Sequence, residues 1–282
     1  MTDYKIGIIG LGYVGKAIKN CFISKYDLYT FDINKNCTEK NLDSLIIESN
    51  IIFICLPTPM KKDGTCNTDI INGVLNEINN IIVDNDLNRE KTIVIKSTII
   101  PGSSRNFSDK YEELNIVFNP EFLTEANFND DFLNQKRIIL GGEYVSEIKN
   151  LYSISFPDAE IIILSYEESE MVKYFSNAFL ATKVSFANEI FILCKKMNID
   201  YDLVVKTAIK DDRIGNSHLS VPGPDGKYGF GGSCLPKDLL ALISFFNSNN
   251  VESVLLNSVW QRNSKIDRKE KDWELLKGRA VE

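Results

Sequence analysis

Short runs dominated by isoleucine and valine recur through the first 165 residues: "KIGIIG", "DLYTFD", "NIIFICLP", "KTIVIKST", "NIVFNPE", "RIILGG" and "EIIIL". Each is short, rich in β-branched residues and bounded by polar or turn-forming positions, the signature of a strand. Longer stretches with apolar residues three and four apart lie between them, 69–83 among them, and predict amphipathic helices. Strand alternating with helix predicts a Rossmann-like, doubly wound, mostly parallel α/β sheet over residues 1–165. From about Tyr166 the pattern changes. "EESEMVKYFSNAFLATKVSFANEIFILCKKMNI" contains neither glycine nor proline and keeps a helical apolar spacing, so it predicts one long helix. An all-helical central domain over 166–282 follows, with this helix as its spine and as part of a dimer interface.

The first strand runs into "GLGYVG", with Gly10, Gly12 and Gly15 in G-x-G-x-x-G spacing at the opening of a helix. Glycines there permit a tight turn and let a pyrophosphate approach free N–H groups at the helix N-terminus. The next strand ends at Asp32, where a carboxylate binds the adenosine ribose hydroxyls of NAD and repels the 2′-phosphate of NADP. In such a sheet the ligand lies beyond the C-terminal strand ends. "CLPTP", "STIIPG" and "NPEFLTEA" occupy those ends, so Thr58 and Thr98 either face a cofactor or cap turns.

The helical half carries its own chemistry. Lys173 and Asn177, four apart, share one helix face, either as a solvated stripe or as part of a polar site in an apolar stretch. After "YDLVVKTAIKDD" comes a Gly/Pro-rich loop, "RIGNSHLSVPGPDGKYGFGGSC", and then a helix starting near Pro236. Cys234 therefore lies at or just before a helix N-terminus, where the dipole and Lys237 both favour an anionic sulfur. Asp238 lies one turn further on.

Composition narrows the partners. At 44% hydrophobic and 25% charged the 282-residue chain is globular and long enough for two domains, and a net charge of −7 argues against nucleic-acid binding. No apolar run reaches membrane-spanning length and no signal peptide is visible, so a cytoplasmic location is expected. The six cysteines show no C-x-x-C pair, which argues against a zinc site.

Taken in order, the glycine fingerprint, "STIIPG", "NPEFLTEA", "KYFSNAFLATKVSFANE", "RIG" and "GFGGSCLPKD" resemble the UDP-glucose/GDP-mannose dehydrogenase family over roughly residues 4–245. The resemblance implies an NAD-dependent enzyme that oxidises the C6 hydroxymethyl of a nucleotide sugar to a carboxylate, with UDP-glucose to UDP-glucuronate as the first expectation. It implies Cys234 as nucleophile, Lys173 and Asn177 as stabilisers of the developing oxyanion, and Asp238 as the carboxylate working with a water. It further implies Glu121 and Glu125 as the two glutamates of "NPEFL-x-E", and Thr98 beside them. The implied NAD contacts are Gly10, Gly12, Tyr13, Val14, Asp32, Lys35, Thr58, Thr98 and Glu125. For the sugar nucleotide the implied contacts are Phe122, Leu123, Lys173, Asn177, Arg213, Tyr228, Phe230 and Gly231.

His218 falls where relatives often carry an aromatic residue, as a stacking group or an ordinary loop histidine. The chain departs from the family by an inserted "VPGPDGK" and by ending before the third domain typical of members, so it reads as a short form. Two alternatives stand beside this reading: a β-hydroxyacid-type dehydrogenase, which needs no cysteine, and a non-catalytic NAD-binding subunit. A homodimer is expected, because a long helix with an uncovered apolar face would otherwise expose it.

Overall fold

The computed structural model describes residues 4–87 and 91–282. In chain order the first part runs β1 (Lys5–Ile9), α1 (Tyr13–Phe22), β2 (Asp27–Phe31), α2 (Leu42–Glu48), β3 (Ile51–Ile54), α3 (Asp69–Asp84), β4 (Thr92–Ile95) and α4 (Ser103–Lys110). It continues with β5 (Asn115–Phe118), α5 (Phe128–Leu133), β6 (Arg137–Gly141), α6 (Ser146–Ser155) and β7 (Glu160–Leu164). All seven apolar runs are strands, joined in one sheet of order β2-β1-β3-β4-β5-β6-β7.

Strands β1 to β5 pair in parallel, β5 meets β6 antiparallel at Phe118 and Gly141, and β6 pairs with β7 in parallel. The order reverses beside β1, whose two neighbours are reached by crossovers in opposite directions. That reversal opens a crevice at the carboxyl ends of β1 and β3.

Period-two alternation gives the sheet two buried faces. On one, Ile8, Phe53, Val94 and Val117 meet Phe22 of α1, Phe132 of α5 and Tyr152 of α6. On the other, Ile52, Ile54, Ile93, Ile95 and Ile116 meet Leu45 of α2, Leu75 and Ile78 of α3 and Phe107 of α4. This double burial is why the strands read as near-continuous apolar runs.

The long helix is α7 (Tyr166–Met197), 32 residues without interruption. Its first turns belong with the sheet. The Tyr166 hydroxyl donates to the Ile116 carbonyl at 2.6 Å. Glu170, fully buried, accepts from the backbone N–H groups of Gly102 at 2.6 Å and Ser104 at 2.8 Å. It thereby serves as the acidic cap that α4 lacks in its own sequence.

The chain divides into two compact units: residues up to Thr58 with Thr68–Lys173, and Pro59–Asn67 with Tyr174–Glu282. The second contains the rest of α7, then α8 (Tyr201–Ala208), α9 (Cys234–Ser248) and α10 (Val254–Arg262), followed by a π-helical turn, Asn263–Asp267, and a 3-10 turn, Asp272–Leu275. One small core gathers Ala187, Cys194, Tyr201 and Val221. Another packs Trp273 with Met60 and Ala280, the Trp260 and Trp273 rings lying 5.3 Å apart. Met60 bridges both Cys66 and Val281, so Pro59–Asn67 forms a small β-element with the residues around 280. Among the described residues no helix is long and apolar enough to cross a membrane, and no cluster suited to a metal ion is present.

Candidate functional site

In the sheet unit the glycine turn is dictated by space. Gly10 has φ +91°, and a Cβ there would lie 2.6 Å from the Cys55 carbonyl oxygen. At Gly15 a Cβ would run into the Gly10 carbonyl oxygen. Gly12 differs: a Cβ there would meet nothing within 4 Å, and no side chain caps α1 at this position. The protein itself does not require a glycine at that point, whereas a pyrophosphate approaching the helix N-terminus does.

Asp32 leans over this turn. Its Oδ2 accepts from the Leu11 N–H at 2.7 Å and its Oδ1 from the Asn34 N–H at 2.8 Å, leaving lone pairs on both oxygens for ribose hydroxyls. Lys35 donates to the Leu11 carbonyl at 2.5 Å, with its ammonium 3.9 Å from Asp32. At the neighbouring strand ends the Thr58 hydroxyl donates to the Thr98 carbonyl at 2.7 Å, and Ser97 donates to the Leu56 carbonyl at 2.6 Å. These bonds lace the loops after β3 and β4 into one floor. Cys55 lies just below, and burial pushes its thiol up to about 12. It stays neutral and inert.

Beyond β5 the chain is held by a buried polar network. The Lys96 ammonium, 4% exposed, lies 2.8 Å from Glu121 Oε2 and donates to Asn119 Oδ1 at 2.9 Å. Asn119 also accepts from the Tyr152 hydroxyl at 2.7 Å and donates to the Ile139 carbonyl at 2.7 Å. Burial, reinforced by the Glu121 charge, holds the Tyr152 phenol well above its ordinary range. Glu121 Oε1 accepts from the Phe122 N–H at 2.9 Å, and the Glu121 carbonyl accepts from the Lys173 ammonium. The Phe122 ring carries two cations within reach, Arg137 at 4.8 Å and Lys173 at 5.2 Å. Leu123 is half-buried and Glu125 exposed.

In the helical unit Cys234 opens α9 and is exposed, the only exposed thiol among the six. Ser233 Oγ is 3.7 Å from its sulfur. Asp238, 1% exposed, has each oxygen engaged: Oδ1 by the Lys237 ammonium at 2.5 Å, and Oδ2 by the Asn177 amide at 2.5 Å. Burial pulls the Lys237 ammonium down, but the charges of Asp238, Cys66 and Cys234 outweigh it and leave Lys237 above its ordinary value. A fixed cation thus stands in the first turn that presents the sulfur.

The loop before α9 is clamped from two sides. Asn188 accepts from the Gly229 N–H at 3.1 Å. Fully buried Asn263 accepts from the Phe230 N–H and donates to its carbonyl, both at 2.8 Å. Gly229 has φ +65°, and a Cβ on Gly231 would come 2.5 Å from the buried Arg268 guanidinium. Arg268 in turn binds Asp225, a residue of "VPGPDGK". Tyr228 is exposed and tilts against Phe191 at 5.8 Å. Arg213 stands in solvent with a bidentate partner, Asp211, at 2.5 Å. His218 has φ +64°, and burial, with Lys183 adding to it, holds the imidazole below its usual value.

The structure thus gathers Gly10, Asp32 and Lys35; Thr58 and Thr98; Glu121, Phe122 and Lys173; and Asn177 and Asp238. Lys96, Asn119, Asn188, Asn263 and Arg268 were not legible as site-shaping residues. The one local sign was Lys96, a lysine directly after "IVI" where an apolar strand ends.

A glycine turn cleared for a ligand, an acidic residue above it and a helical unit presenting an exposed thiol at a helix start define a dinucleotide-binding protein of the dehydrogenase type. The chain belongs to the UDP-glucose/GDP-mannose dehydrogenase family: the model of its NAD binding domain matches residues 34–155 and that of its central domain residues 167–265. The first of these matches points to NAD as the dinucleotide. UDP-glucose 6-dehydrogenase of Rickettsia bellii is 37% identical over 75% of this chain and 48% of its own. A UDP-glucose dehydrogenase structure from Pyrobaculum islandicum superposes with a TM-score of 0.83 at 27% identity, covering 93% of this chain and 68% of the other. The 3-hydroxyisobutyrate dehydrogenase of Mycobacterium tuberculosis, 16% identical with a TM-score of 0.72 over 96% of each chain, shares the fold alone. The chain spans about half the length, 48%, of the Rickettsia bellii relative.

Proposed function

We propose that the protein oxidises the C6 hydroxymethyl of a nucleotide sugar, UDP-glucose first among them, to the carboxylate, with Cys234 as covalent nucleophile. The observation that carries this reading is the exposed Cys234 at the start of α9, with Lys237 and the pinned Asp238 in the same turn. A two-electron alcohol dehydrogenase has no use for that thiol.

NAD, when bound by Gly10, Gly12, Tyr13, Val14, Asp32, Lys35, Thr58, Thr98 and Glu125, supplies the hydride acceptor for each of two oxidations. The rest is the work of side chains. The Cys234 sulfur attacks the C6 aldehyde left by the first oxidation, forming a C–S bond and placing negative charge on oxygen. Lys173 and Asn177 stabilise that oxyanion, as fixed cations and donors do where charge develops. Loss of the second hydride from the same carbon leaves a thioester. Water, deprotonated with help from Asp238 or Glu125, breaks the C–S bond and releases carboxylate and free thiol. Phe122, Leu123, Arg213, Tyr228, Phe230 and Gly231 would contact the sugar nucleotide.

We also assign a homodimer. Phe175, Phe179, Phe186, Leu193 and Met197 recur on one face of α7 and are all more than half exposed. Phe175 and Phe179 stack on each other at 6.3 Å, leaving a long apolar stripe that a second copy would cover.

The test is NADH formed per sugar consumed, across UDP- and GDP-hexoses. Two NADH with one substrate supports the reading, and Cys234→Ser should then lower steady turnover by roughly 10³-fold or more. The shared fold of the 3-hydroxyisobutyrate enzyme keeps one rival in view. One NADH per molecule of a 3-hydroxy acid, unaffected by Cys234→Ser, would establish that rival instead.

A further inference from the structure

We propose that Lys96 is a positioning residue for Lys173, acting through the peptide bond between Glu121 and Phe122. The inference deepens the reading above and rests on it for the role of Lys173 in catalysis.

That one peptide group is held at both ends. Its N–H, from Phe122, points at Glu121 Oε1 at 2.9 Å, and its carbonyl, from Glu121, accepts from the Lys173 ammonium. The bond is trans, so N–H and C=O point in opposite directions within one rigid plane. Whatever fixes the N–H direction therefore fixes where the carbonyl presents itself to Lys173. The N–H direction is fixed by the Glu121 carboxylate, and that carboxylate by Lys96 at 2.8 Å.

Lys96 is itself immobile. It is 4% exposed, donates to Asn119 at 2.9 Å and faces the Phe132 ring at 5.9 Å. Asn119 is clamped by Tyr152 and by the Ile139 carbonyl, so the lever is anchored in the sheet.

The arrangement exceeds what stability calls for. A buried lysine–glutamate pair contributes little net stability, and well-packed apolar residues replace such pairs without loss. What an apolar replacement cannot supply is an acceptor for the Phe122 N–H. The same turn of chain places the Phe122 ring under Lys173, so the peptide sets both the acceptor and the cation–π surface of that ammonium. Asp32 and the glycine turn lie outside this network.

The experiment compares wild type with Lys96→Met, Lys96→Arg and Lys96→Met/Glu121→Leu. Lysine-resolved competitive acetylation read by mass spectrometry is combined with melting curves and NADH turnover. In Lys96→Met, Lys173 should acetylate about tenfold faster as its charge-assisted bond is lost, and Lys96→Arg should restore part of the protection. Lys149, on α6, serves as the unchanged control. Turnover should fall about 10- to 100-fold. Should Lys96→Met not fold, the double variant keeps an apolar pair in the core and should show the same exposed Lys173.

Unchanged Lys173 reactivity in either folded variant overturns the positioning role. Faster acetylation with turnover intact upholds the positioning and instead removes Lys173 from the chemistry, an outcome that Lys173→Met would confirm separately.

Discussion

Asn177 and Asp238 meet side chain to side chain, amide nitrogen to Oδ2 at 2.5 Å, in a setting where Asp238 is 1% exposed. The neutral amide suits that contact, because the other carboxylate oxygen already takes a cation, Lys237. Asn177→Asp would put two carboxylates against each other in a buried site, so one of them must take a proton. Its melting temperature should drop more than that of Asn177→Ala at pH 8, and the gap should close towards pH 5. A gap that does not depend on pH would show that the residues are not in contact.

Asp32 should govern the dinucleotide without touching the fold of the helical unit. Its Oδ2 also receives the Leu11 N–H, so Asp32→Ala removes a ribose partner and loosens the glycine turn together. NAD affinity by calorimetry should fall about 10- to 100-fold, the worth of a charge-assisted hydrogen bond. An unaltered affinity would place the adenosine elsewhere.

Glu170 makes stability depend on pH with an unusual sign. Burial raises its carboxyl from 4.5 to about 7, although the N–H groups of Ser104 and Gly102 oppose the rise. The folded state therefore holds the proton more tightly than the unfolded chain. The stabilisation is complete below 4.5 and is lost as pH climbs through about 7. Urea midpoints should decline between pH 5 and pH 8, and Glu170→Gln should flatten that decline. Equal slopes in the two proteins would contradict the assignment.

Asn263 should matter to the loop more than to the helices. Its amide serves both the N–H and the carbonyl of Phe230 at 2.8 Å. Asn263→Ala strands two buried groups, a cost of about 1–3 kcal/mol each. Hydrogen exchange at the Phe230 amide should accelerate, while amides in α7 keep their protection. Uniform acceleration would mean global destabilisation instead.

Much of this architecture is legible in local pattern. The seven strands carry Ile and Val in runs that a doubly covered sheet requires, and α7 is visible because nothing in 32 residues breaks a helix. Pro236 locates the start of α9 and with it Cys234. What escapes is burial of long polar side chains. Lys96 and Glu121 read as a strand-end lysine and a motif glutamate, yet they form one buried pair. Arg268 sits in "KIDRKEKD", which reads as a solvated charge run, and is 2% exposed beneath Gly231. Such burial depends on partners distant in sequence, to which local periodicity is blind.

The small β-element at Met60 sets an order for biosynthesis. Its Asn67 bonds to Glu282 across 215 residues, and Met60 pairs with the Ala280 carbonyl at 2.8 Å. On the ribosome Pro59–Asn67 emerges early and must wait for its strand partner until the residues near 280 have been made. The sheet can therefore assemble around a segment that still dangles. The helical unit reaches its final state only when the residues near 280 double back to a stretch made some two hundred residues earlier.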